Sequence, residues 1–360
     1  MILFRKLLNS NKLLLHNLGT TAYNVKVLVS NSNCPYENLA YEDHLYENVK
    51  LSDADKVLYI WRNKKAIVIG RHQNPWKEVN LDKMEGKGIS LCRRMSGGGT
   101  VYHDLGNVNF TFFTSKKNYD RKSNLDFIIN TLMKDFNIDL KRNEKDDIIF
   151  ENQYKVSGTA AKLGLKNCYH HCTLLCNTDL GNLTGLLTNP FGANIKTNAT
   201  ESIKSKTRNL FDENNYDFWK IVDSFTHSFI ENNSKGSPAR YRKIDPSTIE
   251  EVISKKEILK SWKWTFEKSP KFSIDANFVF NDRKESVNVH LTINKGKIES
   301  FKTDSTFQPL LDILDRLDGC SLQNDKVLQV LDIMVSDNNN EYSEVASQMK
   351  KWFESINLIY

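Results

Sequence analysis

The chain is as informative for what it lacks as for what it holds. It contains no run of about 18 or more apolar residues, the length a membrane-spanning helix needs. It has only six cysteines (Cys34, Cys92, Cys168, Cys172, Cys176 and Cys320), and their spacing does not resemble a disulfide framework, which points to a reducing compartment. Internal repeats and low-complexity blocks are absent, and Asn338 to Asn340 reads only as a turn. No acidic residue precedes Glu37, so Arg5, Lys6 and Lys12 supply half of the net charge of +6. The remaining excess is spread over segments of mixed sign. A nucleic-acid binder would gather it on one stripe, and that class is set aside.

The opening MILFRKLLNSNKLLLHNLGTTAYNVK combines Leu, Asn, Ser and basic residues without an acid. That composition fits an amphipathic mitochondrial presequence better than a secretory signal, because the basic residues interrupt the apolar core. Residues 1–30 are therefore set apart from the fold. Residues 31–235 are read as one large domain, 236–248 (rich in Ser, Asn and Pro) as a linker, and 249–360 as a smaller α+β domain.

Within the large domain, Leu39 to Val49 has the pattern of an amphipathic helix, with Leu39, His44, Leu45 and Val49 on one face. The runs VLYIWR (57–62) and AIVIG (66–70), separated by Asn63-Lys64-Lys65, predict a hairpin. Strands are expected at Ile89–Arg93, Val108–Thr114 and Tyr169–Thr178, and a helix at Asn124–Phe136. DIIF and YKVSG predict a second hairpin that turns at Glu151-Asn152. In the small domain, strands are expected at 273–281 and 287–293 and helices near 308–317 and 342–356. Hairpins with helices segregated between them make an α+β fold rather than a doubly wound sheet.

Two blocks carry chemistry. In RRMSGGGTVYHDLGNVNFTFF (93–113) three glycines follow a strand, and without Cβ atoms they let a ligand approach the backbone N–H groups. A phosphate-binding GxxxxGK[ST] loop is absent, and a strand rather than a helix follows. In YKVSGTAAKL (154–163), Lys155 stands in a strand just before Ser157-Gly158, beside open backbone.

Together these blocks resemble the lipoate–protein ligase A and lipoyltransferase family. The likeness extends through VLYIWRN, VIGRHQNPWKE (68–78), YHHCTLLCNTDL (169–180) and NATESIKSKTRNL (198–210), almost without interruption from Tyr36 to Leu210. SWKWTFEKSPKFSI (261–274) looks like the small C-terminal domain of the mitochondrial lipoyltransferases. The resemblance implies a catalytic domain shared with biotin–protein ligases and a reaction in which a carrier lysine attacks the acyl carbon of lipoyl-AMP. It implies that Lys155 bridges the acyl carbonyl and the α-phosphate, that Ser96, Gly97, Gly98 and Gly99 donate hydrogen bonds there, and that Arg94 and Arg142 add positive charge, with Lys145 as the alternative to Arg142. Tyr102, Asn107, Asp147, Thr173 and Thr200 are the further expected contacts to the adenylate or lipoyl group. Ile67, Ile69 and Val101 are candidates for an apolar slot around the alkyl arm. The implied acceptors are lipoyl-carrier domains: the glycine-cleavage H protein and the acyltransferase subunits of 2-oxoacid dehydrogenases. The implied address is the mitochondrial matrix. ATP and Mg enter only if the activation step is retained, and a monomer is expected because no coiled-coil or exposed apolar stripe appears.

Other readings stay open. Cys168, His170, His171, Cys172 and Cys176 invite a zinc site, but strand alternation puts His170, Cys172, Leu174 and Cys176 on one face and His171, Thr173 and Leu175 on the other, so no metal is expected. A full ATP-dependent ligase, an octanoyltransferase working through an acyl-cysteine, and a non-catalytic carrier-binding protein are the functional alternatives to lipoyl transfer.

Overall fold

The structure is a computed structural model, and it describes residues 25–84, 86–234, 239–280, 286–323, 326–336 and 339–355. Its contacts divide the chain into two compact units: one of residues up to Arg71, Ile89–Leu183 and Ile203–Lys260, the other of His72–Gly88, Thr184–Ser202 and Ser261 onward.

The first unit contains β1 (Val25–Ser30), α1 (Pro35–Asn48), β2 (Lys56–Trp61), β3 (Ala66–Ile69), β4 (Ser90–Arg93), β5 (Val101–His103), β6 (Asn107–Ser115), α2 (Arg121–Phe136), β7 (Leu140–Arg142), β8 (Ile148–Phe150), β9 (Tyr154–Lys155), β10 (Thr159–Leu163), β11 (Asn167–Leu175), α3 (Phe218–Ser234), β12 (Ala239–Ile244) and α4 (Glu250–Lys260). Its main sheet is mixed, with strand order β10-β11-β6-β2-β1-β12. The two-residue period of the strands sorts this sheet into two unlike faces. Val27, Ile60, Phe110, Phe112, Cys172 and Leu174 point to one side, where they pack with Leu125, Ile128 and Leu132 of α2 and with Phe218, Ile221 and Phe225 of α3. Tyr59, Thr111 and His171 pair across the other side, next to Trp61, Asn109 and Thr173. The apolar face is the core, and the polar face carries the chemistry below.

Several expectations change. Val25–Ser30, set apart with the leader, is a buried strand paired with β2 on one side and β12 on the other, while residues 1–24 lie outside the described residues. Its alternating valines belong to the sheet. The stretch 236–248, read as a linker, contains β12, whose polar alternation suits the sheet edge it occupies. VLYIWR and AIVIG do not form a hairpin: β2 lies in the main sheet, whereas β3 pairs with β4 and β5 in a separate sheet. Both runs are apolar on both faces, so alternation gives no cue to pairing. The connection is pinned instead, because Lys64 N–H donates to Asn33 O (2.7 Å) and Asn38 Nδ2 to Arg62 O (3.0 Å) and Asn63 Oδ1 (2.9 Å). The first helix begins earlier than expected, at Pro35, and is buried from Asn38 to Leu45 instead of along one stripe. Asp43 on it holds Lys162 and Lys255, each at 2.7 Å. The second hairpin does form, and Glu151 and Asn152 at its turn take φ of 50° and 61°.

The second unit has an antiparallel sheet of Ile195–Thr197, Phe272–Val279, Ser286–Asn294 and Lys297–Thr303. Phe272, Ile274, Ala276 and Phe278 alternate inward along its second strand. Helices Gln308–Leu317, Lys326–Val335 and Asn340–Ser355 complete the unit. Trp76 packs there against Phe266 (ring centroids 5.0 Å) and Phe272 (5.2 Å). No helix among the described residues is long and apolar enough to cross a membrane.

Phe110 is fully buried with its ring centroid 4.4 Å from that of Phe225. Phe110→Ala should therefore lower unfolding free energy by about 3–5 kcal/mol in urea titration, and a loss below about 1 kcal/mol would contradict this packing.

Candidate functional site

β3, β4 and β5 carry the glycine loop between them, and an internal arginine sets its shape. Arg94 is 4% exposed, and its guanidinium donates to Ser96 Oγ (2.9 Å), Val68 O (3.0 Å), Gly97 O (2.6 Å) and Gly99 O (2.7 Å). Burial pulls its pKa down to about 10, still above neutrality, so the group stays a cation. The carbonyl of Ser96 accepts from Arg71 N–H (2.8 Å). In a trans peptide the carbonyl and the following N–H point in opposite directions. Tying down the carbonyls of Ser96 and Gly97 therefore turns the N–H groups of Gly97 and Gly98 away from Arg94 and Arg71. Gly98 has φ of +86°, and Gly70 is crowded enough that a Cβ there would lie 2.0 Å from Gly98 O. The result is a loop with carbonyls held inward and amides turned outward, backed by a cation: an anion cradle.

Behind the loop, Ser96 Oγ lies 2.9 Å from His171 Nε2, and His171 Nδ1 lies 2.8 Å from Glu42 Oε1. Thr111 Oγ donates to the same carboxylate oxygen (2.7 Å) and accepts from Trp61 Nε1 (3.0 Å). His103 is pushed down to about 3 by burial, then by the charge of Arg94 and by His171. His170, on the opposite face of β11, is pushed down to about 3 by burial first.

The second block adjoins the first. A Cβ on Gly98 would stand 3.3 Å from Ala160 Cβ and 3.7 Å from Thr159 O, and one on Gly158 would stand 3.1 Å from Val101 Cγ1. Gly158 N–H donates to Thr173 Oγ1 (2.8 Å), so Thr173 holds the backbone bend after Lys155. Lys155 Nζ sits 2.6 Å from Asp147 Oδ1, and its backbone N–H bonds Lys206 O (2.8 Å), which lays the 206–207 segment alongside β9. Both members of this ion pair are about one-fifth exposed (23% and 18%), so a polyanion can compete for the ammonium.

Not every expected residue joins this cluster. The hydroxyl of Ser96 is engaged inside the protein, and Arg94 clamps the loop from behind. Arg142 is bound to Asp126 (3.0 Å) and Asp146 (3.2 Å), which neutralise it, and Lys145 is solvent-exposed. Asn107 is fully buried and donates to Asn109 Oδ1 (3.1 Å). Tyr102 is buried in β5 beside Asp104 and Asp179, and burial raises its phenol pKa. Thr200 belongs to the second unit, where its N–H bonds His72 O (3.2 Å). Ile67 and Ile69 are fully buried in β3. Sequence reasoning missed Glu42, Thr111 and Trp61. Their only local signal was a carboxylate and a threonine at positions that hydrophobic periodicity assigns to buried elements.

Residues 34–230 match the family model described as the lipoyl protein ligase A/B catalytic domain. The chain is 38% identical over 313 residues to a Homo sapiens protein named lipoyl amidotransferase LIPT1, mitochondrial, covering 83% of this chain and 81% of that one. It is 32% identical over 342 residues to lipoate-protein ligase A of Bdellovibrio bacteriovorus, covering 91% and 97%. Among solved structures, that of P. falciparum LipL1 in complex with lipoate is similar with a TM-score of 0.57 at 28% identity, over 92% of this chain and 99% of that one.

Two outcomes test this geometry. Gly70→Ala should displace the Gly98 carbonyl, which two-dimensional NMR would read as shifted amide resonances for residues 96–99 with an unchanged circular dichroism spectrum. His103 and His170 both titrate in the folded state near 3, below an unfolded value of about 6.5. The unfolded chain then binds more protons, so stability falls as pH drops below about 6.5, by about 1.4 kcal/mol per pH unit for each histidine. A denaturation midpoint that stays flat between about pH 7 and pH 5 would contradict the neutral burial of these rings.

Proposed function

Because the chain belongs to the family of the lipoyl protein ligase A/B catalytic domain, we propose that this acyltransferase of protein lipoylation transfers a lipoyl group, from lipoyl-AMP or from an already lipoylated glycine-cleavage H protein, to the lysine of carrier domains in 2-oxoacid dehydrogenase complexes. Similarity to a protein named as mitochondrial supports a mitochondrial site of action, and the acid-free leader supports the matrix.

The observation that carries the reading is the adjacency of the outward-turned amides of the Gly97–Gly99 loop and the strand that bears Lys155. An acyl-adenylate has two places where negative charge matters: the carbonyl oxygen, which becomes an oxyanion on attack, and the phosphate, which leaves with the charge. The loop amides and Lys155 offer fixed donors for both, and fixed donors need no reorganisation as charge develops. Asp147 holds the Lys155 ammonium at 2.6 Å until a more anionic ligand replaces it. The attacking carrier lysine must be neutral, and positive charge from Lys155 and Arg94 lowers its pKa from about 10.4. The N–H groups, not a protein nucleophile, do the work. Cys92, the cysteine nearest the loop in sequence, is fully buried and burial pushes its thiol pKa up, which argues against it as an acyl-cysteine nucleophile.

A second reading, full activation of lipoate with ATP, draws support from the 32% identity to a lipoate-protein ligase A across 91% of this chain. Purified protein, given an apo carrier domain with either lipoyl-AMP or lipoate plus Mg-ATP, separates the two. Transfer alone gives lipoylated carrier, seen by intact mass, only with lipoyl-AMP. Equal product from both donors would make the chain a ligase. Lys155→Ala should lower the rate from lipoyl-AMP at least a hundredfold, and retained transfer by that variant would remove the lysine from its assigned role.

A further inference from the structure

The bonds behind the glycine loop run in turn through Trp61, Thr111, Glu42, His171, Ser96 and Arg94, with the buried Tyr169 hydroxyl also beside Ser96. Both ends can only donate, since an indole N–H and a guanidinium have no acceptor. With Glu42 as a carboxylate that takes bonds from both Thr111 and His171, the donors at the two ends are matched by acceptors. One placement of protons satisfies every member. Ser96 Oγ accepts from Arg94 Nε and gives its hydroxyl hydrogen to His171 Nε2. His171 is then the neutral tautomer with its hydrogen on Nδ1, which it donates to Glu42. None of these six residues is more than 10% exposed: Trp61 is 2%, Thr111 0%, Glu42 1%, His171 8%, Ser96 1% and Arg94 4% exposed. Water therefore cannot substitute for a missing partner without rearrangement, and each link fixes the next.

The last link is the consequential one. The Arg94 guanidinium that takes the Ser96 oxygen through Nε takes the carbonyls of Gly97 and Gly99 through its terminal nitrogen. A planar guanidinium cannot turn for one of these without turning for the others. Without an acceptor at His171 the Ser96 hydroxyl loses the bond that orients it, and Arg94 Nε loses a fixed oxygen to hold beside its grip on both carbonyls. We propose that Glu42 and His171 are positioning residues for acyl transfer, ordering the Ser96 hydroxyl so that Arg94 holds the loop amides toward the acyl donor. This rests on the assignment of the glycine loop to the donor.

The role separates from simple structural support in kinetics. With full-length protein, lipoyl-AMP and an apo carrier domain, His171→Leu should lower kcat about tenfold or more while KM for the carrier is unchanged. Ser96→Ala should do the same, and the double variant should be no slower than either single one, because both break one chain. His171→Gln can accept from Ser96 through its amide oxygen and donate to Glu42 through its nitrogen, so it should recover to within about threefold of the parent. That rescue should vanish in the Ser96→Ala background. Glu42→Gln, nearly isosteric, serves if His171→Leu does not fold: it replaces the acceptor-only group and should lower kcat alone. Wild-type kcat in Glu42→Gln and His171→Leu, multiplicative losses in the double variant, or a loss confined to KM would each overturn the proposal. Lys155→Ala run beside them keeps the questions apart, since unimpaired transfer by that variant would count against the site assignment and not against the chain of bonds.

Discussion

A buried cation in need of acceptors organises this protein's most distinctive region. The Arg94 guanidinium lies out of water, where an unpaired positive charge is strongly unfavourable, so the fold must supply it with oxygen atoms. It does so with backbone carbonyls of Val68, Gly97 and Gly99 and with the Ser96 hydroxyl. Glycine is required there for reasons beyond flexibility: a Cβ at Gly98 would stand 3.0 Å from the guanidinium and one at Gly70 would collide with the loop carbonyl. The pull of one charge on several carbonyls is what turns a run of glycines into an ordered array of amides.

The same electrostatic logic explains the unusual polarity of the inner sheet face. Glu42 is almost fully buried on α1, and it is tolerated because Thr111 and His171 satisfy it and Arg94 lies within its field. Asp43, next in sequence, is held by Lys162 and Lys255. Neighbouring carboxylates of one helix turn thus have different partners. One orders the site, and the other joins α1 to β10 and α4.

Much of this is legible in the sequence. The Glu151-Asn152 turn, the strand at 108–114 and the helix ending at Phe136 follow from period, propensity and turn chemistry, which are local. The division of β11 into a core face and a chemical face followed from alternation alone. What failed was non-local. Nothing in VLYIWR or AIVIG says which sheet each joins, because continuous apolar runs carry no facing information and pairing was decided by Asn33 and Asn38 elsewhere in the chain. Val25–Ser30 carries a strand's alternation inside a stretch whose composition, free of acids, suits a presequence, and composition hides the strand. Glu42 and Thr111 escaped notice since a buried acid is visible only once its partners are adjacent. The glycine loop was identified through family likeness. Its working principle, carbonyls in and amides out, needed the arginine's bonds.

β11 has a consequence for how this protein tolerates change. Cys172 and Leu174 on it belong to the core, while His171 and Thr173 between them hold the glycine loop and the bend after Lys155. Because consecutive residues face opposite ways, a shift of one position along β6 would exchange the two sets entirely, placing imidazole in the core and thiol at the loop. Stability and chemistry are thereby written in the same nine residues, on alternate letters. An insertion or deletion inside this strand has no mild outcome, whereas the same change at the exposed Leu165, in the turn that joins β10 to β11, lies outside the paired residues.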